Sequence, residues 1–134
     1  MYKMALRRIA LVTLLVAGLA ACAGIGKGST QDPQLQVGEL ASARWQALLA
    51  GDLKRAYDYL SPGTRETMSL DQYKRKINPG LWKKAAVSSV SCEQERCGVV
   101  VVLDYSFGSM KSIETRLDEV WLMDNGKWWY VPQR

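Results

Sequence analysis

No histidine occurs anywhere in the 134 residues, which excludes imidazole general bases, histidine triads and the common histidine-bearing zinc and iron sites. Phenylalanine is nearly absent too: Phe107 stands alone against five tryptophans and six tyrosines, so the aromatic side chains of this chain nearly all carry a polar tip. Only four prolines and three cysteines occur, too few for a disordered proline-rich segment or a disulfide-dense scaffold. An excess of charge is also missing. The formal +5 includes Lys3, Arg7 and Arg8; without them 15 basic face 13 acidic residues, far from the clustered cations that neutralise a nucleic-acid backbone. No nucleic-acid partner, metal or cofactor is expected. What remains, 48% hydrophobic and 23% charged, is the composition of one globular domain.

The one long apolar run is N-terminal. A basic start (Lys3, Arg7, Arg8) leads into the uncharged stretch Ile9 to Gly26, strongly apolar only from Ile9 to Leu19, the layout of a secretory signal peptide. Its glycines and alanines make it a poor membrane span. The stretch closes on Leu19-Ala20-Ala21-Cys22, which resembles the lipobox of bacterial lipoproteins. That resemblance implies cleavage before Cys22, diacylglycerol (palmitate-type) chains on its sulfur, and stable membrane anchoring by two or more acyl chains. With Ala23 after the cysteine, it implies sorting to the outer membrane of a two-membrane host, the domain facing the periplasm. Residues 1–21 are then the signal peptide and residues 22–33 a lipidated tether: eleven polar and small residues from Ala23 to Pro33 reach roughly 18 Å root-mean-square. Gly26-Lys27-Gly28-Ser29 is not a phosphate loop, since Gly28 separates the lysine from the serine.

With Cys22 lipidated, Cys92 and Cys97 remain as a pair that an oxidising compartment converts to a disulfide. Glu93-Gln94-Glu95-Arg96 reads as the polar loop of a hairpin between them. Closing so small a loop stabilises by about 2 kcal/mol, a local clip.

Residues 34–134 form the domain. Leu35, Leu40, Trp45, Leu48 and Leu49 follow a helical period that ends at Gly51-Asp52,. A second helix carries Leu53, Ala56, Tyr57 and Leu60. Ser61-Pro62 opens a third, to about Met68, and the capping box Ser69-x-x-Gln72 a fourth. After Leu81 the chain reads as strands: Trp82 to Ser91, Gly98 to Phe107, Ile113 to Met123 and Trp128 to Val131, with a loop at Gly108 to Ser112 and a type I′ signal at Asn125-Gly126. Helices followed by about four antiparallel strands make an α+β domain, helices packed on a curved sheet.

The segment Ala43 to Pro62 (ARWQALLAGDLKRAYDYLSP) and the closing Trp121-x-x-Asp124-Asn125-Gly126-Lys127-Trp128 resemble the ketosteroid-isomerase-like and nuclear-transport-factor-like family. The resemblance implies a cystatin-like cone over Gln34 to Val131. It carries over no catalytic set: the family's tyrosine falls near Arg44 or Trp45, its base aspartate near Met68, and the histidine of its dehydratases has no counterpart.

Two constellations are candidates for function. Trp45, Tyr57, Trp82, Tyr105, Glu119 and Trp121 can line a pocket for a small apolar ligand, or the same rings can simply fill the core. For acid–base chemistry the candidates are Asp104, after an apolar run, and Glu119, in phase with the inward Leu117, Trp121 and Met123. Glu119 has two structural alternatives, a β-bulge or a cross-strand cation. If it is a base, Glu119→Gln removes turnover and leaves the fold. The basic residues Lys74-Arg75-Lys76 and Lys83-Lys84 read as a solvated face, with anionic lipid headgroups as the alternative. The sequence thus points to a non-catalytic binding or interaction module of the bacterial envelope, with an envelope protein or a small apolar ligand as partner. The alternative is a histidine-free enzyme of the cone fold acting on a small apolar substrate.

Overall fold

The structure, a computed structural model, describes residues 31–133. The signal segment, the lipobox with Cys22, and most of the tether lie outside the described residues.

Asp32 caps the first helix, its carboxylate accepting from the Gln34 amide at 3.0 Å, and Pro33 occupies the first turn where no amide is needed,. Helix α1 runs Pro33–Leu49. Its termination is local chemistry. Gly51 adopts φ +74°, and the Gly51 and Asp52 amides donate back to the Leu48 and Ala47 carbonyls at 3.1 and 2.9 Å, a Schellman closure. Asp52 then caps α2 (Leu53–Tyr57), its carboxylate accepting from the Arg55 amide. Ser61 caps α3 (Pro62–Thr67), and the Ser69/Gln72 box caps α4 (Leu70–Lys76) with both reciprocal bonds formed. A 3-10 turn at Pro79–Leu81 leads into the sheet.

Strands β1 (Trp82–Glu93), β2 (Arg96–Phe107), β3 (Met110–Asp124) and β4 (Lys127–Val131) form one antiparallel meander in the order β1-β2-β3-β4. The architecture is α+β, with the helices against one face of a curved sheet. Register breaks at Trp82/Lys84 and Val87/Ser89 mark irregularities in β1, the kind of feature that bends a strand. Alternation sets the inner face: Val99, Val101 and Leu103 of β2 are buried, while Val100 and Val102 on the other face are half-buried. These inner residues meet Val37, Ala41, Trp45 and Leu48 of α1 in one core.

Three details differ from the sequence expectation. Leu35, expected on the core side of α1, is 63% exposed, because it sits two residues before the inward Val37 and so on the far side of the helix. The cysteine turn contains only Gln94 and Glu95, since Glu93 and Arg96 already pair. The expected loop Gly108 to Ser112 shrinks to Gly108 and Ser109, since Phe107 pairs with Met110 and Gly108 supplies the positive φ of the turn,.

The final strand does more than extend the sheet. Tyr130 bridges Leu60 in parallel: its amide donates to the Tyr59 carbonyl at 2.8 Å and its carbonyl accepts from the Ser61 amide at 3.0 Å. The link between α2 and α3 is thereby fastened to the sheet edge. No helix among the described residues is long and apolar enough to cross a membrane.

Candidate functional site

The chemically distinctive place in this fold is a buried polar cluster between α1 and β3. Helical spacing puts Arg44 one turn beyond Ala41 and next to Trp45, all facing the sheet,. On β3, strand alternation turns Glu119 and Trp121 toward them,. Arg44 and Glu119 are each 4% exposed. Glu119 Oε1 accepts from Arg44 Nη1 and from the Trp45 indole Nε1, both at 2.7 Å, and Oε2 accepts from Trp121 Nε1 at 3.1 Å. Three donors on two elements converge on one carboxylate.

Aromatic rings enclose the pair. The Arg44 guanidinium carbon lies 3.7 Å from the Tyr130 ring centroid, a cation over a π face in a desolvated setting. Trp121 packs against Tyr130 and Tyr59 at centroid distances of 5.9 and 6.3 Å, and Trp45 meets Trp82 edge-on at 5.3 Å. On the α4 side, Tyr73 packs on Tyr57 at 5.6 Å, and the Tyr57 hydroxyl donates to the Met68 carbonyl at 2.7 Å. Burial pushes the Tyr73 and Tyr130 phenols above the ordinary tyrosine value of 10.0, with the Arg44 charge partly opposing the rise and Glu119 adding to it,. Among the described residues, Arg44 Nε, the Tyr73 hydroxyl, Trp128 Nε1 and, away from the cluster, Arg65 Nε are buried without a hydrogen-bond partner.

Of the six residues singled out from sequence, Trp45, Glu119 and Trp121 are bonded together and Trp82 stacks on Trp45. Tyr57 belongs to the Tyr73 contact. Tyr105 stands across from Trp82 and Ile113, half-buried. None of the six lines any of three surface cavities, of about 890, 740 and 270 Å³, which lie beside α3 and β4, along α1 and β1, and at Tyr59 and Trp128 respectively. Asp104 faces the other side of the sheet, opposite Lys84 and bonded to Ser112 Oγ at 3.0 Å. Cys92 and Cys97 are directly paired across β1 and β2 with their sulfurs at disulfide distance, and Cys97 is fully buried.

Arg44 and Tyr130 are the residues that sequence reasoning missed. Glu119 does have a cationic partner, but it comes from a helix and not from the neighbouring strand. The available signal was Arg44 itself, a charge in phase with Val37, Ala41 and Leu48 on the apolar face of α1,.

No family model matches the chain, and no curated protein is similar to it in sequence. Among solved structures it is similar to a SEC-C motif containing protein from Rhodopseudomonas palustris, with a TM-score of 0.54 and 14% identity over 66% of this chain and 70% of that one. At that identity the likeness concerns the fold.

Proposed function

We propose that this chain is a lipoprotein of the bacterial cell envelope, acylated on Cys22, whose cone-family domain is a non-catalytic binding or interaction module. In this reading the domain is held on the periplasmic side of the outer membrane and meets an envelope protein or a small apolar ligand there.

The observation that carries the non-catalytic part is the state of Glu119. An acid–base residue must reach a substrate proton, whereas this carboxylate is 4% exposed and bound by Arg44, Trp45 and Trp121. Its geometry is that of a fastener between α1 and β3. The envelope part is supported by the lipobox-like Leu19-Ala20-Ala21-Cys22 and by the Cys92 and Cys97 sulfurs at bonding distance, an arrangement suited to an oxidising compartment.

Intact mass of the membrane-extracted chain tests the reading. The expected result is a chain starting at Cys22 with acyl mass, which Cys22→Ala abolishes. A chain that keeps Met1 and carries no added mass overturns it.

A further inference from the structure

Among the described residues five large apolar side chains stand exposed: Leu35, Leu81, Phe107, Met110 and Leu122. Three of them gather at one end of the sheet. Phe107 and Met110, 62% and 55% exposed, are Cα partners flanking the Gly108-Ser109 turn. Leu81, 40% exposed, precedes Trp82, whose partner is Tyr105, so the antiparallel register sets Leu81 at the level of Ser106. The charges nearest the three apolar residues are cationic, Lys83 beside Trp82 and Lys111 beside Met110, while one step further along the strands Lys84 stands opposite Asp104, itself opposite Glu114. The opposite end mixes its charges, with Glu93, Glu95 and Asp124 against Arg96 and Lys127 at its two turns, and Leu122, 37% exposed, stands there opposite Arg96 and outside the turns.

We propose that the Phe107–Met110 tip, with Leu81 beside it and Lys83 and Lys111 next to it, is a wedge that docks into an anionic lipid surface. Apolar side chains on a tight, solvated turn enter the headgroup boundary, and lysines with flexible aliphatic stems keep their ammonium groups among the phosphates. The complementary charge selects this occupant over a second copy of the chain, whose tip carries the same lysines.

The inference rests on the reading of the chain as an envelope protein, and it adds an orientation. Helix α1 lies along β1 with Gly38 near the Val90 side chain and Trp45 against Trp82, so the chain enters the domain near the cysteine turn, away from the wedge. From Val99, the partner of Val90, to Phe107 is roughly 26 Å along β2 at about 3.3 Å per residue. The residues from Cys22 to Gln31 span at most roughly 33 Å. That reach exceeds the length of the sheet, so the wedge can touch the membrane that holds Cys22 while the cysteine turn stands off it in water.

The test places an environment-sensitive dye on Ser109→Cys in the full chain as purified from membranes. The chain is reconstituted in vesicles of phosphatidylcholine alone or mixed with phosphatidylglycerol. Wild-type chain taken through the same labelling and weighed intact shows whether Cys22 itself takes dye, so failure of the lipoprotein reading is scored separately. The expected result is a blue shift in the anionic vesicles only, with the ratio of docked to free tip falling about five-fold for each of Lys83→Gln and Lys111→Gln. A dye on Gln94→Cys, at the other end, is expected to stay aqueous. No shift, an equal shift in both vesicle types, a shift at Gln94→Cys, or a concentration-dependent shift without vesicles, which would assign the tip to a second copy, each overturns the proposal.

Discussion

Arg44 and Glu119 stand 75 positions apart in sequence and 2.7 Å apart in the fold, an ion pair that joins the first helix to the third strand. Because the indoles of Trp45 and Trp121 donate to the same carboxylate, the cluster cannot be exchanged piecemeal for apolar groups.

Glu119→Gln replaces two acceptor oxygens by one oxygen and an NH2 group that meets an N–H donor head-on, while Arg44 keeps its charge. Breaking a buried pair in this way costs about 3 kcal/mol or more. Urea unfolding of Glu119→Gln is expected to show a lowered midpoint, and Arg44→Met a similar loss. A double-mutant cycle is expected to give strong coupling between the two sites. The fold therefore does not tolerate the glutamine silently, as a free catalytic carboxylate would allow.

Alkali attacks the same region from another side. Tyr73 and Tyr130 are raised above 10.0 by burial, so the folded chain holds their protons more tightly than the unfolded chain does. Their contribution is complete below pH 10.0 and is lost as pH rises through the raised values. The tyrosinate absorbance of Tyr73 and Tyr130 is expected to appear only with unfolding. Tyr73→Phe is expected to move the alkaline unfolding midpoint upward; an unchanged midpoint contradicts the assignment.

Reduction of the Cys92 and Cys97 pair, separated by five positions, is expected to cost about 2 kcal/mol in the chain-entropy account and to leave the fold intact. Calorimetry with and without reductant checks this. A collapse of the fold on reduction would mean that the pair does more than hold its own hairpin.

Two glycines are expected to respond with opposite signs. Gly38 lies inside α1, and an added Cβ meets only Val90 Cγ2, at an ordinary 3.5 Å. Gly38→Ala is expected to stabilise by about 0.5–1 kcal/mol. Gly51 has open space around its Cβ direction but a φ of +74°, so Gly51→Ala is expected to destabilise by about 1 kcal/mol through backbone strain alone. Thermal unfolding of the two variants side by side decides both.

Signals confined to a few neighbouring residues were legible in the sequence. The Gly51-Asp52 break, the Ser61-Pro62 start, the Ser69/Gln72 box and the Asn125-Gly126 turn each form as their local chemistry dictates, and together they fix the α+β order. Glu119 was legible as inward-facing because the register of β3 runs unbroken from Ile113 to Leu122, so its side chain keeps phase with Leu117 and Trp121. Its partner was not, since the meeting of Arg44 with Glu119 depends on how α1 lies across the sheet. The short turn at Gly108-Ser109 was hidden for a similar reason: the polar residues around Met110 look like loop until strand pairing claims them. Leu35 looked like core because it is apolar, although its angular position faces away from the sheet.

The fastening of Tyr130 between Tyr59 and Ser61 makes closure of the fold wait for residues far along the chain. A nascent chain in which Lys127–Val131 have not yet emerged lacks the ring over Arg44 and the strand that ties down the link between α2 and α3. It must therefore remain incompletely folded until that strand is synthesised. Such a delay keeps the chain open to whatever machinery handles extended polypeptides, and it places the commitment to the native state after β4 has been made.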